Sequence, residues 1–229
     1  MKTIIKTTVY LFAAVLGMVA AGTVFAGLLS QAGSFVYREQ TGDTVHEYVW
    51  QLKHLGDQVV ITSREPGKFF QTTCAPDGST LSWEFKGNDG SRVIARRHGD
   101  KLIVERNGKG QKEESTETLD ERPWYQPLSY SLRAVAEGEP AVSSFWMIRP
   151  DTLEVVSLTA EKKKCGTVEV NQGAVPACEV EIRKEGLFAS FWHASYWFRQ
   201  NDKQFVRYEA VHGAPGTPET VIQLVEELH

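Results

Sequence analysis

The chain has 229 residues, 41% hydrophobic and 24% charged, with a formal net charge of −4. That balance excludes an electrostatic nucleic-acid binder, because neutralising phosphates takes clustered positive charge, and the basic run Lys162 to Lys164 leads into Cys165 with no interleaved ring. A chain of this size buries roughly 70% of its unfolded surface, so a core can form without metals or disulfides.

The N-terminal stretch MKTIIKTTVYLFAAVLGMVAAGTVFAGLLS carries Lys2 and Lys6 and then no charge until Arg38. A basic start, an apolar run and the exit Val24-Phe25-Ala26 describe a secretory signal peptide, residues 1–26, cut after Ala26. The alternative is an uncleaved anchor, since about 20 apolar residues suffice to cross a bilayer. Membrane contact would then run through this segment alone. Cleavage removes 26 of the 229 residues and two lysines, leaving 203 residues at a formal charge of −6. Residues 27–229 are then expected to form one periplasmic or secreted domain.

After Phe35, apolar and polar residues alternate. In HEYVWQLKH, Tyr48, Trp50 and Leu52 oppose Glu47, Gln51 and Lys53, the pattern of a strand wet on one side and hence of an antiparallel sheet. LSWEFKG and DKLIVER repeat it. Gly56-Asp57, Pro66-Gly67, Asp77-Gly78, Asp89-Gly90 and Asn107-Gly108 supply turn residues between the strands, so the first half reads as a meander. The polar stretch GKGQKEESTETLDER comes next and reads as a solvated loop or an edge strand.

PWYQPLSYSLR, Pro123 to Arg133, breaks this rhythm. Pro127 suits a first helical turn, Leu128, Leu132 and Val135 recur at helical spacing, and Gly138 with Pro140 ends the segment. Its apolar stripe is expected to face inward, with Arg133 left at the rim. Strands then resume with SSFWMIR, LEVVSLTAE, CGTVEV, CEVEIRK, SYWFRQ, QFVRYEAV and TVIQLVEEL. Eleven or twelve strands result, too many to stay flat, because strand twist accumulates until the sheet curls. The expected fold is a large curled antiparallel sheet, a half-barrel meander wrapped around one central helix near residues 125–137.

Cys74, Cys165 and Cys178 are an odd number for an oxidising compartment. A turn at Asn171 to Gly173 would bring Cys165 opposite Cys178, yet Val168 and Val170 lie on the opposite face from Cys165, whereas Val180 and Ile182 share the face of Cys178. A bulge at Pro176 would reconcile the two phases. The disulfide Cys165–Cys178, with Cys74 as a buried thiol, therefore stands beside an unpaired alternative.

Pro127-Leu128-Ser129 to Arg133, the run of strands after it, and the aromatic strand leading to a polar turn at Asp202 together resemble a bacterial periplasmic domain family of unknown function. That family's architecture is similar to the lipoprotein-localisation carriers of the periplasm. The resemblance implies a many-stranded sheet around a helix and a hydrophobic cargo in its concave face. Trp50, Trp83, Phe85, Leu128, Leu132, Tyr196 and Phe198 are the candidate ligand-binding residues, with Phe145, Trp146 and Trp197 as further aromatic candidates. The competing reading is that these side chains simply fill the core.

Chemistry-bearing patterns are sparse. His46 and His54 lie about 26 Å apart along an extended strand, too far to share a metal ion. His193 sits among aromatics in FWHASYW with no marked Ser, Cys or carboxylate partner, and reads as a hydrogen-bonded structural residue. No catalytic residue, metal ligand or cofactor is assigned. The expected function is a non-enzymatic binder of a lipid or other hydrophobic ligand, as a carrier or envelope-assembly factor. The alternatives are an envelope scaffold with a protein partner and a filled core, and an enzyme acting on a glycan or lipid.

Overall fold

A computed structural model describes residues 32–108, 110–171, 173–185, 192–211 and 217–228; the expected signal peptide, residues 1–26, lies outside them. The first run of hairpins comprises β1 (Gly33–Thr41), β2 (Thr44–Leu55), β3 (Gln58–Glu65), β4 (Lys68–Cys74), β5 (Thr80–Gly87), β6 (Arg92–His98), β7 (Lys101–Gly108) and β8 (Gln111–Thr118). The second comprises β9 (Val142–Ile148), β10 (Val155–Val170), β11 (Gly173–Lys184), β12 (His193–Arg199), β13 (Phe205–Val211) and β14 (Glu219–Leu228).

All fourteen belong to one antiparallel sheet in the order β8-β7-β6-β5-β4-β3-β2-β1-β14-β13-β12-β11-β10-β9. The first and last strands therefore pair in the middle of the sheet, and the chain neighbours β8 and β9 are its two edges. The count exceeds the eleven or twelve expected from sequence. One source is β8, whose residues are all exposed and so carry no apolar alternation to detect. In the other direction, LEVVSLTAE and CGTVEV are not two strands. They are the single strand β10, which continues through an extra residue between Lys162 and Cys165, a bulge that lets the ribbon bend without ending.

The half-barrel brings its edge strand β9 between two hydrophobic clusters. Phe145, on β9, packs with Leu158, Ala160 and the helical segment in one hydrophobic cluster. Ile148, on the same strand, joins Trp83, Val93, Ala95, Leu102 and Val104 of β5–β7 in a second cluster. An odd separation along a strand puts Phe145 and Ile148 on opposite faces. The β9 edge is thus buried on both sides, one face against the interior and the other against the inner face of β5–β7. The sheet rolls over itself like a scroll.

Residues 119–127, the first part of the connection from β8 to β9, lock this overlap. On one side Leu119 N donates to Asp100 O at 2.7 Å and Thr80 N to Trp124 O at 2.7 Å. On the other, Trp146 N donates to Pro123 O at 2.8 Å and Tyr125 N to Trp146 O at 2.9 Å. The Gln126 side chain continues the ladder as a backbone amide would: its Nε2 donates to Ile148 O and its Oε1 accepts from Ile148 N, both at 3.1 Å. Edge groups of β9 that burial would otherwise orphan are thereby paired, which matters because each unpaired group costs about 1–3 kcal/mol.

The helical segment comes next as α1 (Leu128–Ser131) and α2 (Arg133–Glu137), broken at Leu132 and ended by Gly138 in the left-handed conformation. Leu128, Leu132 and Val135 are buried as their spacing predicts. Arg133 is not at the rim: it is 1% exposed. Helical spacing assigns one face to the core, but this segment lies inside the curl, and Tyr130, Ser131 and Ala136 are buried as well. Its fit is close at Gly78, where φ is +82° and a Cβ would stand 3.3 Å from the Ser131 backbone. Ser131 Oγ donates to Gly78 O there at 2.7 Å.

Cys165 and Cys178 are joined by a disulfide, and Cys74 is a buried free thiol. The bulge that aligns the pair lies beside Lys162, not at Pro176. Beyond it the hairpin tip returns over the sheet, with Arg207 Nη1 donating to Glu169 O and Arg38 Nη1 to Asn171 Oδ1.

The overlap and the disulfide can each be tested by denaturation. Trp124→Ala, which empties a fully buried indole from the overlap, is expected to cost about 3–5 kcal/mol in urea; a loss below about 1 kcal/mol would mean the overlap does not depend on it. Replacing both disulfide cysteines by serine, which opens a link across a sequence separation of 13, is expected to cost about 3 kcal/mol.

Candidate functional site

A cleft of about 610 Å³ lies beside the scroll's seam. Its walls come from three places. Asp77, Ser79, Thr80 and Leu81 enter from the β4–β5 turn and the start of β5. Arg97 and Gly99 come from β6 and its turn, while Glu121, Pro123, Trp124, Tyr125, Ala134, Glu139 and Pro140 come from the segment joining β8 to β9. The floor is largely apolar, and charged side chains are spread around it. At this size the cleft falls in the range of small-molecule sites, which run from about 300 to 1,000 Å³.

Polar anchors hold the lining in place. Arg97 donates to Arg122 O and Asp120 O, each at 2.6 Å, and to Gly99 O at 2.9 Å. Arg122 in turn stacks over the Trp146 ring at 4.3 Å and binds Asp120, Ser157 and Glu185. Hydrogen bonds from Arg122 and from the Trp146 indole hold the Asp120 carboxyl well below the usual carboxylate range. These contacts are exposed and act as positioning links more than as stability. Trp124 differs: it is 0% exposed, and its indole Nε1 finds no acceptor among the described residues.

The seven residues that sequence reasoning assigned to a ligand lie elsewhere. Trp50, Leu128, Leu132 and Phe198 are buried in the interior cluster, with Tyr196 half-buried against it. Trp83 belongs to the overlap cluster, with Phe85 half-buried beside it. Their ring partners are other rings of the chain, as in Phe35–Trp50 at 5.7 Å, Tyr196–Phe205 at 5.9 Å and Phe70–Phe85 at 5.2 Å. None of the seven borders the cleft. His193 is exposed at the start of β12. Trp124 and Tyr125 were passed over because helical spacing draws attention to residues 128–135. The available signal was two adjacent rings between two prolines, in PWYQP.

The interior also holds a polar group at its centre. Arg133 donates through Nη2 to Gln204 Oε1 at 2.9 Å, Gln204 Nε2 donates to the Tyr37 hydroxyl at 2.7 Å, and that hydroxyl donates to Phe205 O at 2.8 Å. Burial pushes the Arg133 guanidinium down to about 10 and raises the Tyr37 phenol well above its ordinary value. At neutral pH the arginine remains charged and the tyrosine neutral. Nearby, burial pushes the Cys74 thiol up to about 12.

No family model matches the sequence, and no curated protein matches it. Among solved structures, the fold is similar to a beta-barrel-like protein of domain of unknown function DUF1849 from Brucella abortus. The TM-score is 0.61 at 12% identity, over 86% of this chain and 97% of that one. A candidate lipoprotein from Parabacteroides distasonis aligns at TM-score 0.37 and 10% identity, over 87% of this chain and 96% of that one. A candidate exported protein with a YmcC-like fold from Bacteroides fragilis gives TM-score 0.37 at 10% identity, over 87% of this chain and 97% of that one. The likeness, carried by the Brucella protein, is one of fold.

The Cys74 environment is directly testable. With the thiol held near 12, a neutral maleimide-type reagent at about pH 8 is expected to leave Cys74 unmodified in the native protein and to label it fully in urea. Rapid native-state labelling would show that the interior opens around β4.

Proposed function

We propose that the protein is exported and non-enzymatic and binds an apolar or amphipathic ligand, serving as a carrier or an envelope-assembly factor. The observation that carries this reading is the seam cleft of about 610 Å³ floored by Leu81, Pro123, Trp124, Tyr125, Ala134 and Pro140. Such a surface favours a chain that water rejects. Charged groups at Asp77, Arg97, Glu121 and Glu139 leave room for a polar head. The basic, then apolar, N-terminal stretch supports export, and the barrel-like fold is compatible with a binding role without assigning one.

A second reading has its own support. The interior of the curl is occupied by the chain's own aromatic and aliphatic side chains, as suits a scaffold whose partner is another protein. The two readings separate on uptake of a probe. A fluorescent fatty acid is expected to bind the purified protein, and Ala134→Trp, which fills the cleft, is expected to weaken it at least tenfold without changing the circular dichroism. Absence of uptake, together with cross-linking in cells to a single protein, would replace the carrier reading by the scaffold one.

A further inference from the structure

Several other arginines pair with carboxylates nearer the surface: Arg38 with Glu47, Arg122 with Asp120 and Glu185, Arg199 with Asp202 and Glu227. Arg133 inverts the pattern, being 1% exposed with no carboxylate in an ion pair among the described residues. Arginine is almost never fully buried unless it is paired. Among the described residues only Nη2 of the guanidinium has an acceptor, Gln204 Oε1, and Nε and Nη1 are buried with no partner. In this structure none of the surrounding groups reaches Nε or Nη1. Gln204 Oε1 already accepts, the Tyr37 hydroxyl already accepts from Gln204 while donating to Phe205 O, and Tyr130 and Trp50 offer ring faces at 4.9 and 5.9 Å. Asp202, the carboxylate whose charge reaches Arg133, is held by Arg199 and by the Gln204 backbone amide.

We propose that Arg133, with Gln204, Tyr130 and Trp50 around it, is the receptor for an acidic group, a carboxylate or a phosphate, brought by the ligand. Nε and Nη1 carry three of the five guanidinium N–H donors, and an anion is the acceptor that satisfies both their hydrogen bonds and the uncompensated charge. The ring faces of Tyr130 and Trp50 keep water from competing. The ligand class is thereby narrowed to acidic amphiphiles. That narrowing rests on the amphiphile reading for the tail but not for the head, because a free small anion satisfies the same donors.

The test uses the full mature chain at neutral pH, with decanoate, decanol, acetate and inorganic phosphate as probes. Two readouts apply: affinity by calorimetry, and the Arg133 Nε–H resonance in the wild-type protein, which needs no variant to fold. Decanoate is expected to bind at least tenfold more tightly than decanol and to shift that resonance, while Arg133→Met erases the preference and keeps decanol affinity. A shift with acetate or phosphate but no binding of either decyl compound would keep the anion receptor and remove the amphiphile reading. Equal affinities for decanoate and decanol, with the resonance unmoved, would overturn the anion receptor and keep the amphiphile reading. An unmoved resonance with every probe and no binding would overturn both.

Discussion

The structure depends on one constraint: β9 must be buried on both faces. Phe145 looks into the interior and Ile148 looks out against β5–β7, so the strand works only if the far wall of the sheet wraps past it. A twisted sheet of fourteen strands curls in any case. Closure by direct pairing of β8 and β9 would have abolished the edges. Instead the edges slide past each other, and side-chain packing and the 119–127 segment replace the missing ladder. Trp124 and Gln126 are central to that replacement, the first by volume and the second by presenting an amide that pairs with Ile148 as another strand would.

Overlap has two consequences for function. It uses up aromatic side chains that an open half-barrel would leave facing a cavity: Trp83 is committed to the overlap, while Trp50 and Phe198 belong to the interior cluster that includes the helical segment. It also creates a new concavity at the seam, where the joining segment leaves the β4–β5 and β6–β7 turns. That cleft lies beside the helical segment, and Arg133 is not among its lining residues. At the centre of the sheet's hollow stands a charged group, Arg133, in surroundings that are otherwise mostly rings and aliphatic chains. Apolar packing does not explain a guanidinium there, since a hydrophobic residue of similar volume would fill the space without leaving donors unpaired.

Much of the architecture was legible in the chain. Period-two alternation and regularly spaced Gly- and Asn/Asp-containing turns identify a meander, because a strand wet on one face must write its burial into every second residue. Pro127 and the spacing of Leu128, Leu132 and Val135 mark the helical segment for a similarly local reason. β8 was legible only as a polar stretch, since an exposed strand need not alternate. Arg133 was misplaced because its local context is that of a polar residue at a helix end. The bulge beside Lys162 was likewise hidden, as an extra residue shifts the phase of the residues after it without changing composition.

The sequence by itself determined the alternating strands, the turns between them and the inward stripe of the helical segment, all consequences of contacts a few residues apart, and it left the Cys165–Cys178 pairing open. Tertiary structure decided that the sheet overlaps itself, that Trp124 and not the strand aromatics borders the seam cleft, and that Arg133 is buried. Each of these depends on which distant strand arrives at a given edge: Trp83 meets Ile148 across 65 positions, and periodicity within one strand carries no record of its partner on the opposite face.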